Sequence, residues 1–257
     1  MKLFAIILCL WAGVTEAACR QALVLALDVS GSVDDAEYRM QRDGLADALV
    51  SDAVRKVLVD RGTAPVDITV FEWSGPTHQV IVQPWISIAD AATLGQVANR
   101  IRTAPRIKGV LTTAIGSAMR HARDLLQEKK HCWRRTVDIS GDGEANTGPR
   151  PQDVNDIPDS IIINGLVIGA GDQFNRDERV ANVKELSAYF NSYVIRGTDA
   201  FVEVALGFED YANAMERKLL RELQSVALGQ APNNQTITKG LPLYEMPRQR
   251  PLWIKPR

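Results

Sequence analysis

The chain has 257 residues, of which 46% are hydrophobic and 24% are charged, and its formal net charge is −1 at pH 7. This length fits one large domain or two small ones, and the composition is ordinary for a globular protein. The near-neutral balance argues against nucleic acid as a partner, because nucleic-acid binding favours a basic surface.

The N-terminus has the pattern of a secretory signal peptide. Lys2 precedes an apolar run over Leu3–Val14, and small residues lead up to Cys19. We therefore predict a signal peptide over residues 1–18 and a periplasmic or secreted mature protein. A membrane anchor is the alternative, but the run is short for a bilayer. Lipid attachment at Cys19 is a further alternative, disfavoured because Glu16 stands where an aliphatic residue is expected.

Strands and helices alternate along the first half of the chain. Ala22–Leu27 is a continuous apolar run, which suits a strand buried on both faces of a parallel sheet. Asp34 and Asp35 then open a helix, since negative charge is favourable at a helix N-terminus. The elements that follow are a strand at Val66–Trp73, a shorter hairpin partner at His78–Trp85, a helix at Ile88–Ile101 and a helix from Thr112 to about Lys130.

The second half continues the alternation. Its predicted elements are strands at Thr136–Ser140, Ser160–Ile168 and Ser192–Ile195, and helices at Glu178–Tyr189 and Phe208–Leu228. Alternating strands and helices predict an α/β fold, here a doubly wound, mostly parallel sheet flanked by helices. We expect one domain over residues 19–229, with a Pro-rich C-terminal tail over 230–257.

The side chains most typical of a functional site lie in the segment Asp28-Val29-Ser30-Gly31-Ser32, directly after the first predicted strand. Carboxylate and hydroxyl oxygens in a strand-to-helix turn can converge on a hard cation such as Mg²⁺, which prefers six oxygens. The turn lies at the carboxyl edge of the sheet, where doubly wound folds bind ligands. A helix N-cap turn is the alternative explanation of the same residues.

Two later segments supply oxygens at the same predicted edge. Asp142 ends a strand within Gly141-Asp142-Gly143, and Thr112 and Thr113 stand at the start of a helix. The order of these segments favours a metal site over a simple N-cap turn.

At these residues the chain resembles the von Willebrand factor A domain and its metal-ion-dependent adhesion site. The resemblance extends over about Ala22 to Leu228. Longer segments such as LALDVSGSVD, FEWSG, TAIGSAM and DISGDG are most similar to an uncharacterised family of exported bacterial A-domain proteins. The chain departs from the usual pattern at Gly109-Val110-Leu111, where a Gly pair normally precedes the Thr, which predicts a stiffer loop.

The resemblance implies a set of metal ligands. Ser30, Ser32 and Thr113 would coordinate Mg²⁺, or alternatively Mn²⁺, through hydroxyls, with Asp28 and Asp142 acting directly or through water. Thr112 is the alternative to Thr113, and Glu72 is a candidate acceptor behind the ligands. An Asp or Glu of a protein partner would then complete the coordination.

The same resemblance implies a disulfide. After removal of the signal peptide Cys19 and Cys132 remain, an even pair in an oxidising compartment. In this fold each cysteine lies just before one of two neighbouring parallel strands, so we expect them to be bonded at the amino edge, opposite the metal.

The leading functional hypothesis is therefore a non-enzymatic binding or scaffold module with no membrane span after processing. A metal-dependent, phosphatase-like hydrolase is the first alternative. It is disfavoured because Ser30 stands where an Asp nucleophile would need a second carboxylate, and no G-x-S-x-G nucleophile elbow is present. A structural A domain with a vestigial site is the second alternative.

Overall fold

The structure is a computed structural model that describes residues 19–59, 64–169 and 176–229. Its strands are β1 (Gln21–Asp28), β2 (Val66–Trp73), β3 (Gln79–Ile88), β4 (Arg134–Gly141), β5 (Ile161–Ile168) and β6 (Val202–Ala205). Its helices are α1 (Asp35–Val50), α2 (Asp52–Leu58), α3 (Ala91–Thr103), α4 (Ile115–Gln127), α5 (Arg176–Tyr189) and α6 (Tyr211–Gly229).

The six strands form one sheet in the order β3-β2-β1-β4-β5-β6. All neighbours are parallel except β2 and β3, which form the antiparallel hairpin that the sequence predicted. The chain winds outward from β1 in both directions, so the strand order reverses between β1 and β4. The predicted fold class, a doubly wound and mostly parallel α/β sheet, is confirmed.

The two faces of the sheet form separate hydrophobic cores. Alternate residues of β1 point to opposite faces, with Leu23 and Leu25 in the core beneath α1, α3 and α6 and Val24 in the core beneath α4. The whole of β1 is buried, as its continuous apolar run predicted. Within the described residues, no helix is long and apolar enough to span a membrane.

The predicted disulfide between Cys19 and Cys132 is confirmed. The two sulfurs are bonded, and their Cα atoms are 4.5 Å apart across 113 residues of chain. Cys19 precedes β1 and Cys132 precedes β4, so the bond joins two neighbouring strands at the amino edge of the sheet.

Several predicted element boundaries were wrong. The strand expected at Ser192–Ile195 is a π-helical turn, Phe190–Val194, and the last strand is β6. The β-branched residues there have strand propensity, but Phe190 and Val194 are both buried at helical spacing in the core beneath α4. The predicted helices at Ile88 and Thr112 begin later, at Ala91 and Ile115.

The first helical region, which Asp34 and Asp35 were expected to open, consists of two consecutive helices, α1 and α2. The helix breaks at Ser51, whose hydroxyl accepts a hydrogen bond from the Val54 amide and so starts α2. The predicted signal peptide and C-terminal tail lie outside the described residues, and those boundaries stay predictions.

Candidate metal centre

The loops that follow β1 and β4 meet at the carboxyl edge of the sheet. These two strands are neighbours, and the strand order reverses between them. Since the loops leaving a switch point diverge to opposite faces, they leave a crevice at the strand ends. Asp28 is the last residue of β1, and Asp142 directly follows β4.

Short hydrogen bonds link the polar side chains at this edge. The Ser30 amide donates to Oδ1 of Asp28 at 2.7 Å, which folds the loop back over the strand end. The Ser30 and Ser32 hydroxyl oxygens are 3.3 Å apart, and the Ser32 hydroxyl donates to Oδ1 of Asp142 at 2.8 Å. The structure therefore brings together four of the five residues predicted as principal ligands through direct contacts.

The second carboxylate oxygen of Asp28 is buried without a protein partner. Asp28 is fully buried, and within the described part of the chain nothing donates a hydrogen bond to its Oδ2. This oxygen faces β4, where a Cβ added to Gly141 would lie 3.4 Å from it. A buried carboxylate oxygen without a donor is unfavourable unless it meets a cation or an ordered water.

Electrostatics at the edge favour a cation. Burial raises the pKa of Asp28 well above its ordinary value, and repulsion from the Asp142 carboxylate raises it further. Burial also raises the pKa of Asp142, while the hydrogen bond from Ser32 opposes that shift. Two carboxylates and two hydroxyls form an all-oxygen donor set, which suits a hard divalent cation.

Thr113 lies near the end of the loop between α3 and α4, and a reciprocal pair of hydrogen bonds holds its backbone. Its amide donates to Oδ1 of Asn146 at 2.8 Å, and the Asn146 amide donates to the Thr113 carbonyl at 2.9 Å. Thr113 is buried, whereas Thr112 is half-buried and its hydroxyl lies beside Gly75, in the turn after β2. The assignment of Thr113 rather than Thr112 as a ligand stays a prediction.

Glu72 is placed away from the other candidate residues. It shares its sheet face with Val70, in the core beneath α1, α3 and α6, whereas Asp28 faces the opposite side. Its carboxylate accepts a 2.7 Å hydrogen bond from the Tyr38 hydroxyl, and burial raises its pKa. The structure therefore does not bring Glu72 into contact with the candidate ligands.

Three supporting residues were missed by the sequence reasoning. Gln41 donates from its side-chain amide to the Asp28 carbonyl at 2.8 Å, and Asn146 holds Thr113. The Ser74 hydroxyl accepts from the Val110 amide at 3.1 Å. Gln41 carried a usable signal, because it lies one turn from Tyr38 and Leu45 on the buried face of α1.

The loop between α3 and α4 packs directly on the candidate ligands. A Cβ added to Gly31 would lie 2.9 Å from both Cα and Cδ2 of Leu111, so Leu111 covers the middle of the first loop. Arg106 anchors the loop: its guanidinium donates to the Val33 carbonyl at 2.7 Å and pairs with Asp35. The absence of a side chain at Gly31 is what permits this close approach.

The strand order, with its switch point between β1 and β4, is that of the von Willebrand factor A fold. The chain belongs to the family described as Protein of unknown function (DUF1194), whose model matches residues 18–227. Both assignments confirm the resemblance found in the sequence.

Solved structures share this fold at low sequence identity. Proximal thread matrix protein 1 of the mussel byssus has a zinc-occupied metal-ion-dependent adhesion site (MIDAS) motif. It is 16% identical over 82% of this chain, with a TM-score of 0.52. A von Willebrand factor type A protein of Catenulispora acidiphila is 15% identical over 81%, with a TM-score of 0.51. The chain spans 49% and 43% of those two chains, respectively.

A third structure corresponds to a single domain of similar extent. The vWF domain of the type V pili tip protein Mfa5 from Porphyromonas gingivalis is 11% identical over 83% of this chain and 97% of that one, with a TM-score of 0.50. Among curated protein sequences, none matches significantly. At these identities the comparisons establish the fold, and the chemistry must be argued from the residues of this chain.

Proposed function

We propose that the protein is an exported binding or scaffold module that holds one divalent cation and uses it to bind a protein partner. The proposed ligands are Asp28, Ser30, Ser32, Thr113 and Asp142. The observation that carries the proposal is the buried Oδ2 of Asp28, which has no donor among the described residues and lies near a second carboxylate. A cation would satisfy this oxygen and relieve the repulsion between Asp28 and Asp142.

The donor set also determines what the metal would do. Two carboxylates and three hydroxyls are five donors, so a cation that takes six oxygens would keep one position open to an incoming carboxylate. An Asp or Glu of a protein partner is the group we expect there. Oxygen donors favour Mg²⁺ over softer metals, with Mn²⁺ as the alternative.

The comparisons support this assignment at the level of the class. The mussel structure carries zinc at its MIDAS motif, and Mfa5 is a pilus tip protein. An exported location for this chain rests on the predicted signal peptide and agrees with the disulfide, which persists in oxidising compartments.

The test is the melting temperature of the mature protein in EDTA, Mg²⁺ or Mn²⁺, measured beside an Asp28→Ala variant. A ligand that binds only the folded state adds about 2.7 kcal/mol at one hundred times its Kd. We expect metal to raise the melting temperature of the wild type and not of the variant. An Asp159→Ala variant is the matched control, because Asp159 is an exposed carboxylate just before β5.

The same samples separate binding from catalysis. Turnover of p-nitrophenyl phosphate in Mg²⁺ or Mn²⁺, lost in Asp28→Ala, would replace the binding proposal by the hydrolase alternative. A wild type that does not respond to millimolar metal would instead support the structural domain with a vestigial site.

A further inference from the structure

Three exposed apolar side chains are concentrated on the loop between α3 and α4. The large hydrophobic residues of the described chain include eight exposed ones, and three of these lie within five residues: Ile107, Val110 and Leu111. Their exposed fractions are 47%, 50% and 84%, respectively. We call these three side chains the apolar ridge. Concentrated exposed apolar surface is typical of interaction sites, whereas scattered single residues are not.

The ridge is held in place by close packing against two glycines. Leu111 lies on Gly31, between the candidate ligands Ser30 and Ser32. A Cβ added to Gly75 would lie 2.3 Å from Cγ2 of Val110, so that side chain sits on the turn after β2. The Val110 amide is also hydrogen-bonded to Ser74. The apolar side chains are therefore presented by an anchored loop beside the candidate metal site.

A groove of about 300 Å³ runs between the ridge and the first ligand loop. Its lining includes Ser30, Gly31, Asp34, Lys108 and Leu111. This volume is at the small end of the range that holds organic ligands. The groove thus connects a candidate ligand, Ser30, with the most exposed apolar side chain of the ridge.

The rim of the groove carries two carboxylates, Asp34 and Asp35, and two cations, Arg106 and Lys108. The two acidic residues on its rim are already engaged, because Asp34 accepts from the first amides of α1 and Asp35 pairs with Arg106. Lys108 is exposed on the rim of the groove, and it forms no ion pair of the kind that joins Arg106 to Asp35 in the described part of the chain. Asp34 keeps its negative charge, so the four rim charges balance, and Lys108 is the rim cation that can pair with a carboxylate of a partner.

We infer that the partner is a protein segment that carries an apolar side chain next to its metal-binding carboxylate. The carboxylate completes the metal coordination, and the neighbouring apolar side chain packs on Val110 and Leu111. This inference rests on the proposed metal-dependent binding and adds the specificity of the same site.

Blocked five-residue peptides with a central Asp are suitable probes, flanked by Leu in one peptide and by Gly in another. A third peptide has Asn in place of Asp between the Leu residues. Binding to the wild-type protein in Mg²⁺ is measured by NMR titration or calorimetry. We expect the Leu-flanked Asp peptide to bind about tenfold tighter than the Gly-flanked one, because partial burial of a leucine side chain contributes that much. The Asn peptide should show no dependence on Mg²⁺.

The variant that tests the ridge is the double substitution Val110→Ser and Leu111→Ser. It should bring the affinities for the two Asp peptides to within about threefold of each other. The Kd for Mg²⁺ is titrated without peptide, and both peptides are then compared at saturating Mg²⁺, so the result does not depend on any change in that Kd. Trp133→Ser is the matched control, since Trp133 is 53% exposed at the opposite edge of the sheet.

The possible failures are distinguishable. Equal affinities for the two Asp peptides in the wild type, a preference that survives the double substitution, or no peptide binding by protein that binds Mg²⁺ would each overturn the inference alone. Failure to bind Mg²⁺ at all would overturn the proposed function and the inference with it.

Discussion

Ser32 and Asp142 lie 110 residues apart in the chain, and a 2.8 Å hydrogen bond from the serine hydroxyl to the carboxylate joins them. The bond connects the loop after β1 to the loop after β4 across the switch point of the sheet. It is exposed, so its contribution to the free energy of unfolding is small. Its consequence is positional, because it holds a hydroxyl and a carboxylate next to each other at the switch point.

The first prediction concerns Ser32→Ala. The substitution removes one proposed ligand and the group that orients Asp142, so the Kd for Mg²⁺ should rise by about 10- to 100-fold. The melting temperature in EDTA should stay close to that of the wild type, because the lost bond is exposed. Calorimetric metal titration measures the first effect, and Ser87→Ala, an exposed serine in β3, is the control. An unchanged Kd in Ser32→Ala would remove this serine from the ligand set.

The second prediction compares two glycines of the ligand loops. In Gly31→Ala the new methyl group would lie 2.9 Å from the backbone of Leu111, so the loop between α3 and α4 must move. We expect a loss of about 1–3 kcal/mol in the free energy of unfolding and weaker binding of Mg²⁺. In Gly143→Ala nothing lies within 4 Å of the new methyl group, and stability should change by less than about 0.5 kcal/mol. Urea denaturation measures both, and equal losses would contradict the packing described for Leu111.

The fold was predictable from the sequence because its signals are local. The apolar run of β1 and the Asp-x-Ser-x-Ser motif each lie within ten residues, and the alternation of elements determines the sheet. The disulfide was predictable because the fold places Cys19 and Cys132 beside neighbouring strands. The strand predicted at Ser192–Ile195 failed because tertiary packing of Phe190 and Val194 outweighs local propensity.

Contacts between side chains distant in sequence were not predictable in the same way. Arg134 and Arg135 are the cationic residues nearest to Asp138 in sequence, but neither is its partner. Both arginines stand at the start of β4. Asp138 lies near the middle of the strand, and its side chain faces α6. Its ammonium partner is Lys218, 80 residues away in sequence, with Nζ 2.9 Å from its Oδ2.

The third prediction concerns this buried ion cluster. Lys218 is fully buried between Asp138 and Glu222, and Asn164 donates to Glu222 at 2.6 Å. Lys218→Met would leave two buried carboxylates without their cation, so we expect a loss of about 3–5 kcal/mol at pH 8. Arg217→Met, on the preceding residue, is the control. Arg217 is half-exposed and pairs with Glu203, and a surface pair of this kind contributes at most about 1 kcal/mol.

Urea denaturation of the two methionine variants checks this prediction. A loss below about 1 kcal/mol for Lys218→Met, equal to that for Arg217→Met, would show that the buried carboxylates do not depend on the lysine. The expected result would instead show that the cluster is a polar contact that stabilises the packing of α6 on β4 and β5.

The last prediction is the pH dependence that Asp138 imposes on stability. Burial raises the pKa of this carboxyl to about 7, even though Lys218 opposes the shift, whereas in the unfolded chain its pKa is about 3.9. Between these values the folded protein holds a proton that the unfolded chain has lost, so the free energy of unfolding falls as the pH rises from about 4 to about 7. Above about pH 7 both states are ionised, and this group adds no further change.

The measurement is urea unfolding of the wild type and Asp138→Asn at pH 5 and pH 8, both in EDTA. Other buried carboxyls, such as Glu72, titrate in both proteins, so the difference between the proteins isolates Asp138. We expect the wild type to lose more stability than Asp138→Asn between the two pH values, because the amide cannot ionise. If the free energies of unfolding of the two proteins differ by the same amount at pH 5 and pH 8, Asp138 keeps one protonation state across this range. The ion pair with Lys218 would then compensate fully for the burial of the carboxylate.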